Sequence, residues 1–213
     1  MKYISLALLL FIAILGRLRA ESNLANNGSF EDWSSARTTA ADTLVPELLN
    51  NLIPTGFHAG MEGAGVDQPS NVRIAQDPQV KHGGEFSIRI ESSDSQLTSF
   101  IFLGPIPIEP LSRYLVRVWI KGEDIVSNSK PGGAMLWVHT GPEGNFWQGK
   151  RSPKFPELRE GTFDWTLFEF SFDSDPDANL LRLVLQLRNA TGKVWFDDLE
   201  ILPDGKVESG ERF

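Results

Sequence analysis

Leucines at every second position constrain this chain more than any other feature. In residues 181–188, Leu181, Leu183, Leu185 and Leu187 form a strict stripe, interleaved with Arg182, Val184, Gln186 and Arg188. Period-2 alternation sends successive side chains to opposite faces of a pleated strand, so one face of this segment is buried and the other is offered elsewhere. The period recurs. Tyr114, Val116, Val118 and Ile120 alternate with Arg117, Trp119 and Lys121; Phe168, Phe170 and Phe172 alternate with Glu169 and Ser171. Further strands are expected near 85–92, 97–103, 133–140 and 193–202, with period 2 setting in from about Val72. Stretches rich in Gly, Pro, Asp and Asn separate them, at 82–84, 105–110, 130–133, 141–142, 173–177 and 190–192. This spacing predicts an all-β, antiparallel two-sheet β-sandwich of the jelly-roll kind. One helical candidate, 40–52, places Leu44, Leu48 and Leu52 four apart but contains Pro46. It is read as a short helical or loop insertion near the N-terminus.

Composition removes several function classes. With no cysteine there is no disulfide framework, thiolate metal site or cysteine nucleophile. A formal charge of −8 argues against a nucleic-acid partner, which would need a basic footprint. Residues 1–20 combine Lys2, an apolar run over 4–16 and a small residue, Ala20, before Glu21, which predicts a secretory signal peptide; the alternative is an uncleaved N-terminal anchor. The run is too short for a comfortable membrane span, so no membrane association is expected after cleavage. Cleavage would remove Lys2, Arg17 and Arg19 and no acid, leaving a still more acidic, exported domain over 21–203 and a polar tail over 204–213. Six tryptophans against two tyrosines then need placing.

Several segments carry a recognisable pattern. The start, Asn23-Leu-Ala-Asn-Asn-Gly-Ser-Phe-Glu-Asp-Trp33, is followed by Pro54-Thr-Gly-Phe57, His82-Gly-Gly-Glu-Phe-Ser-Ile-Arg-Ile90, the strand 114–121, Phe163-Asp-Trp165 and Trp195-Phe-Asp-Asp-Leu-Glu-Ile201. Together and in this order they resemble carbohydrate-binding modules of the family 4/9 type, galactose-binding-domain-like jelly rolls found beside glycanases. The resemblance covers nearly all of 23–202. The segment 34–53 has no counterpart in it.

The resemblance implies a structural calcium where the first and last strands meet. Its ligands would be the side chains of Glu31 and Asp197, with backbone oxygens from Ser29 and from the loop between His82 and Glu85. If those strands are neighbours, Glu31, Asp197 and Asp198 gather carboxylates that a hard cation would neutralise. The other reading leaves them solvated or paired with Lys193. The resemblance also puts a glycan cleft on the non-leucine side of 181–188, with Arg182 and Gln186 projecting into it. Sugars present flat apolar faces ringed by hydroxyls, so their sites pair aromatic platforms with directed polar groups. Trp137, Phe146 and Trp147 belong to the densest aromatic cluster of the chain and are expected to line this cleft; Trp119, beside Arg117, either extends it or packs as core or edge. His139 is read as a strand residue bonded to a neighbour, and Trp33, Trp165 and Trp195 as packing residues.

Three function classes follow. The first is a secreted, non-catalytic module that binds a polysaccharide or oligosaccharide, with a separate glycanase as a possible partner. The second is an extracellular structural or adhesion jelly roll without a sugar site. The third is a hydrolase or lyase, which would need two placed carboxylates or an activated nucleophile. The nearest acids, Asp197, Asp198 and Glu200, fall at the expected calcium joint, and His58, His82 and His139 are the only histidines. No enzyme activity is expected. Asn27-Gly-Ser29 and Asn189-Ala-Thr191 are glycosylation sequons.

Overall fold

The leucine stripe lies where the alternation predicts. The computed structural model describes residues 22–35, 52–63, 71–143 and 159–206. Its strands are β1 Trp33–Ser35, β2 Leu52–Pro54, β3 Phe57–Gly63, β4 Val72–Asp77, β5 Ser87–Ser92, β6 Leu97–Pro107, β7 Ser112–Ser127, β8 Gly133–Gly141, β9 Gly161–Asp173, β10 Leu180–Arg188 and β11 Ala190–Lys206. β3, β6, β10 and β8 form a four-stranded sheet in that order; β4, β5, β11, β7 and β9 form a five-stranded one; β1 and β2 make a small ribbon. Every pairing is antiparallel.

The two sheets close on one hydrophobic core. Leu181, Leu183, Leu185 and Leu187 are fully buried on the inner face of the four-stranded sheet. They belong to one cluster with Ile88, Ile90, Val116, Val118, Ile120, Phe168, Val194, Phe196 and Ile201 from the five-stranded sheet. Each such aliphatic side chain contributes about 1.5–3 kcal/mol by leaving water, so the stripe alone fixes which face of β10 turns inward.

Residues 23–28 lie along β11. Leu24 N–H donates to Ile201 O (2.9 Å) and Leu199 N–H to Gly28 O (2.8 Å). The Asn23 amide bridges the same segment, donating to Leu199 O (3.0 Å) and accepting from Ile201 N–H (2.8 Å). This docking occurs where β11 slips its register against β7, between Asp197 and Glu200, with Asp198 at φ 47°. The slip frees β11 backbone groups to bond the N-terminal segment instead.

Two expectations change. β11 continues to Lys206, which pairs with Ser112 and donates from Nζ to Ser112 Oγ (3.0 Å), so the polar tail does not begin at 204. Leu52, the last residue of the helical candidate, is in strand β2, paired with Ser35. The rest of that candidate, the signal segment 1–20, Phe146 and Trp147 lie outside the described residues. Among the described residues no helix is long and apolar enough to cross a membrane.

Candidate functional site

The outer face of the four-stranded sheet collects the side chains that alternate with the core. β10 contributes Arg182, Val184, Gln186 and Arg188. Across the ladders these lie beside His139, Trp137, Met135 and Gly133 of β8, and Phe102, Phe100 and Thr98 of β6. β3 continues the rows with His58, Gly60 and Glu62. The expected neighbours Trp137, Arg182 and Gln186 are therefore brought to one face.

Aromatic planes and hydrogen-bond donors dominate it. The His58 and Phe102 rings stack at 4.9 Å and 14°. The Arg182 guanidinium sits 4.4 Å from the centre of the same Phe102 ring, a cation–π contact worth about 0.5–2 kcal/mol that also fixes where the charge stands. Phe100 lies against Gly60, where a Cβ would come within 2.7 Å of its ring. Glycine there lets the ring settle on the sheet. Trp137 Nε1–H donates to Gln186 Oε1 (3.2 Å). That bond identifies which end of the amide faces the indole, and leaves Gln186 Nε2 pointing elsewhere. Gln186 is 3% exposed, yet its Nε2 has no hydrogen-bond partner among the described residues. An unmet buried donor costs about 1–3 kcal/mol until an acceptor reaches it. Glu62 is the one carboxylate at these strand positions among the described residues, whereas cleavage of a glycosidic bond normally uses two.

Sequence reasoning missed His58, Phe100 and Phe102 as members of this face. Phe100 and Phe102 were legible as alternate positions of the strand expected at 97–103, but which outer face they join depends on β6 pairing with β10. His58 gave no usable signal, because β3 is short and reads Phe-His-Ala-Gly-Met-Glu-Gly.

Trp119 does not extend this surface. It stands on β7, in the other sheet, alternating with the core residues Val118 and Ile120. Its indole stacks on the His82 ring at 3.9 Å and 15°, and Trp165 meets that ring edge-on at 5.7 Å. The two outer faces lie on opposite sides of the sandwich, so Trp119 and Arg117 belong to a different surface. Trp195 is also on that side, 2% exposed, donating from Nε1 to Asp77 Oδ2 (2.9 Å).

The expected metal joint has a specific geometry. Asp197 is fully buried. Its Oδ2 accepts from the N–H groups of His82 (2.8 Å) and Gly83 (3.1 Å), and its Oδ1 from Asp198 N–H (2.8 Å). Glu31 Oε1 accepts from Glu85 N–H (2.9 Å) and Phe86 N–H (3.4 Å). Asp198 Oδ2 lies 2.7 Å from His82 Nδ1. Burial holds the Asp197 carboxyl above its ordinary pKa, although three amides favour the charged form. Lys193 pairs with Glu123 (2.7 Å) and not with this group. The segments thus come together as expected, but loop 82–86 turns amide donors toward both carboxylates. Calcium asks instead for six to eight oxygens, and among the described residues no group of three or more His, Asp or Glu side chains is arranged to hold a metal. Both carboxylates already accept amide N–H groups here, and the exposed Ser29 makes no described hydrogen bond with them.

Comparisons with known proteins bear on the fold. No protein-family model matches the sequence, and no curated protein matches it significantly. Among solved structures, a CBM4 module is similar at a TM-score of 0.50 and 14% identity, covering 84% of this chain and 99% of that one. The enzymatically active domain of bacteriophage CBA120 tailspike protein 4 matches at TM-score 0.50 and 10% identity, over 85% of this chain. An arabinose-bound GH51 α-L-arabinofuranosidase does so at 0.50 and 15%, over 86%. This chain spans 21% of the tailspike domain and 26% of the arabinofuranosidase, so within those longer proteins the likeness is to a part. The described strands and these likenesses agree that the chain has a β-sandwich fold, similar to that of the CBM4 module.

Proposed function

We propose that this chain is a non-catalytic carbohydrate-binding module that takes a polysaccharide or oligosaccharide on the outer face of its four-stranded sheet. The observation that carries this reading is the buried, unmet Nε2 donor of Gln186, held by Trp137 on the face that also carries the stacked His58 and Phe102 rings. A sugar supplies what the arrangement lacks: hydroxyl acceptors at hydrogen-bond distance and an apolar ring face to cover the aromatics. The single carboxylate at the described positions of this face supports binding without turnover. Export rests on the N-terminal segment, and a glycanase working on the same polymer is the fitting partner.

Affinity electrophoresis and isothermal titration against β-glucans, xylans, mannans and galactans test the reading. Retardation by at least one polymer is expected, together with at least tenfold weaker binding by Trp137→Ala at an unchanged fold. Silence across the panel would leave the structural or adhesion jelly roll as the better description. Phe146→Ala and Trp147→Ala, assayed alongside, decide whether those residues also touch the glycan.

A further inference from the structure

The outer face of the five-stranded sheet carries a cavity of its own. Where the N-terminal segment docks on β11, a cleft of about 630 Å³ opens, within the roughly 300–1,000 Å³ usual for small-molecule sites. Trp119 and Leu167, in register across the β7–β9 ladder, give it an apolar wall. Leu167 is 41% exposed, so this wall still has apolar surface for a ligand to cover. In the neighbouring row Arg117 stands between Glu169 and Glu200, its guanidinium 3.9 Å from Glu200 Oε2. Asp198 enters the lining at the β11 register slip, with Oδ2 2.7 Å from His82 Nδ1. The N-terminal segment, at Asn23 and Ser29, forms the facing rim.

We infer that this cleft is a second saccharide site, taking an uncharged sugar unit on the side of the sandwich opposite the face proposed above. Its charged groups already have partners, Arg117 with Glu169 and Glu200, and Asp198 with His82. A charged ligand would have to displace one of them. A hydroxyl instead donates to a carboxylate and accepts from the guanidinium while those pairs stay in place, and hydrogen bonds to ionised groups are the stronger kind. The indole and leucine wall suits the apolar face of a sugar ring. The wall is also set before a ligand arrives. His82 stacks on Trp119 at 3.9 Å, and Gly83 lies so close to Asp198 that a Cβ would come within 2.8 Å of its Oδ2. Little ordering is therefore left to binding. One straight glycan chain cannot fill sites on opposite sides of the sandwich, so a chain with both sites occupied bridges two glycans.

Proton–nitrogen correlation spectra of the full chain, titrated with xylohexaose, cellohexaose and mannohexaose, test the inference. The indole N–H signals of Trp119 and Trp137 report the two faces separately. At least one sugar is expected to shift the Trp119 signal saturably, with little change on adding sodium chloride, and to do so equally in Trp137→Ala. Leu167→Arg, at an exposed position of β9, should weaken that response at least tenfold and leave the Trp137 response as it was. Glu200→Gln keeps the shape of the cleft and should weaken it severalfold, which covering a purely apolar patch would not do. A response unaltered in both variants overturns the assignment. So does a Trp119 shift that disappears in Trp137→Ala, which is then transmitted from the other face. Movement of Trp137 alone overturns the second site and leaves the first intact. Movement of Trp119 alone supports this cleft and overturns the four-stranded face as the glycan site. No movement of either signal overturns both.

Discussion

At the scale of residues, the Asn-Gly-Ser-Phe-Glu element builds the joint and not the sugar face. The Asn27 side chain donates to Asp32 O (2.7 Å) and Thr55 O (3.3 Å) and accepts from Asp32 N–H (2.9 Å), closing the turn on itself. Phe30, at φ 56° and fully buried, packs on Phe57 at 5.2 Å as the plug under that turn. Gly28 is needed because a Cβ there would stand 2.0 Å from Leu199 O. Gly28→Ala is expected to cost about 2 kcal/mol by prising the N-terminal segment off β11, read as a lower urea midpoint. Asn27 has no free amide for a glycan, so mass spectrometry of protein from a glycosylating host should find it unmodified. Asp77 sets part of the acid response. Burial alone would raise its pKa, but the Trp195 indole, the Val80 and Gln79 amides and Arg89 together hold it below the ordinary 3.8. Its stabilising contribution is therefore present above that value and lost as pH falls through the depressed folded-state pKa. Trp195→Phe should move the acid-unfolding midpoint to higher pH, followed by circular dichroism. Asp197 has the opposite sign: its raised pKa means that protonation on acidification favours the folded state.

At the scale of elements, β10 separates stability from binding residue by residue. Leu185 is fully buried in the core and Gln186 faces the outer side. Leu185→Ala should cost about 2–5 kcal/mol through the cavity it leaves. Gln186→Ala forfeits one bond from Trp137, about 1 kcal/mol, and yet should weaken glycan binding far more than Leu185→Ala does, by titration at a temperature where both variants are folded. Loop 82–86 is a second element with a distinct task. Its amides answer the buried Asp197 and the nearby Glu31, which is how a cysteine-free chain ties its first and last segments. Chelation with EDTA should accordingly leave the melting temperature within about a degree. A fall that added calcium reverses would return a cation to this joint.

At the scale of the whole molecule, the core joins both sheets in one cluster, so the described domain should unfold as one unit. Described tryptophans occur on both sheets, Trp119, Trp165 and Trp195 on one and Trp137 on the other. Their fluorescence and the far-ultraviolet signal should lose native character in coincident transitions; a separate early step would mean the sheets part independently. A bound polymer should raise the common midpoint by mass action. The faces divide the remaining work. One is laced by ion pairs and stacked against loop 82–86; the other carries Trp137, Phe100, Phe102, Arg182 and Gln186 at its described positions.

Much of this was written in the alternation. Period 2 in 114–121, 165–172 and 181–188 determined strands, an inward leucine face and an outward Arg182 and Gln186, because side-chain direction in a strand is local geometry. Proximity of the first and last segments was legible through the motif residues, whose roles at the joint depend on small size, burial and amide chemistry. Tertiary structure alone decided the rest. Strand order sent Trp119 to the opposite side of the sandwich from Gln186, since parity along one strand says which side is outer but not which sheet the strand joins. Pairing of β3 and β6 with β10 brought His58, Phe100 and Phe102 to the site. The backbone path of loop 82–86 turned N–H groups rather than carbonyls toward Asp197 and Glu31, a choice of φ and ψ that residue types at those positions leave open.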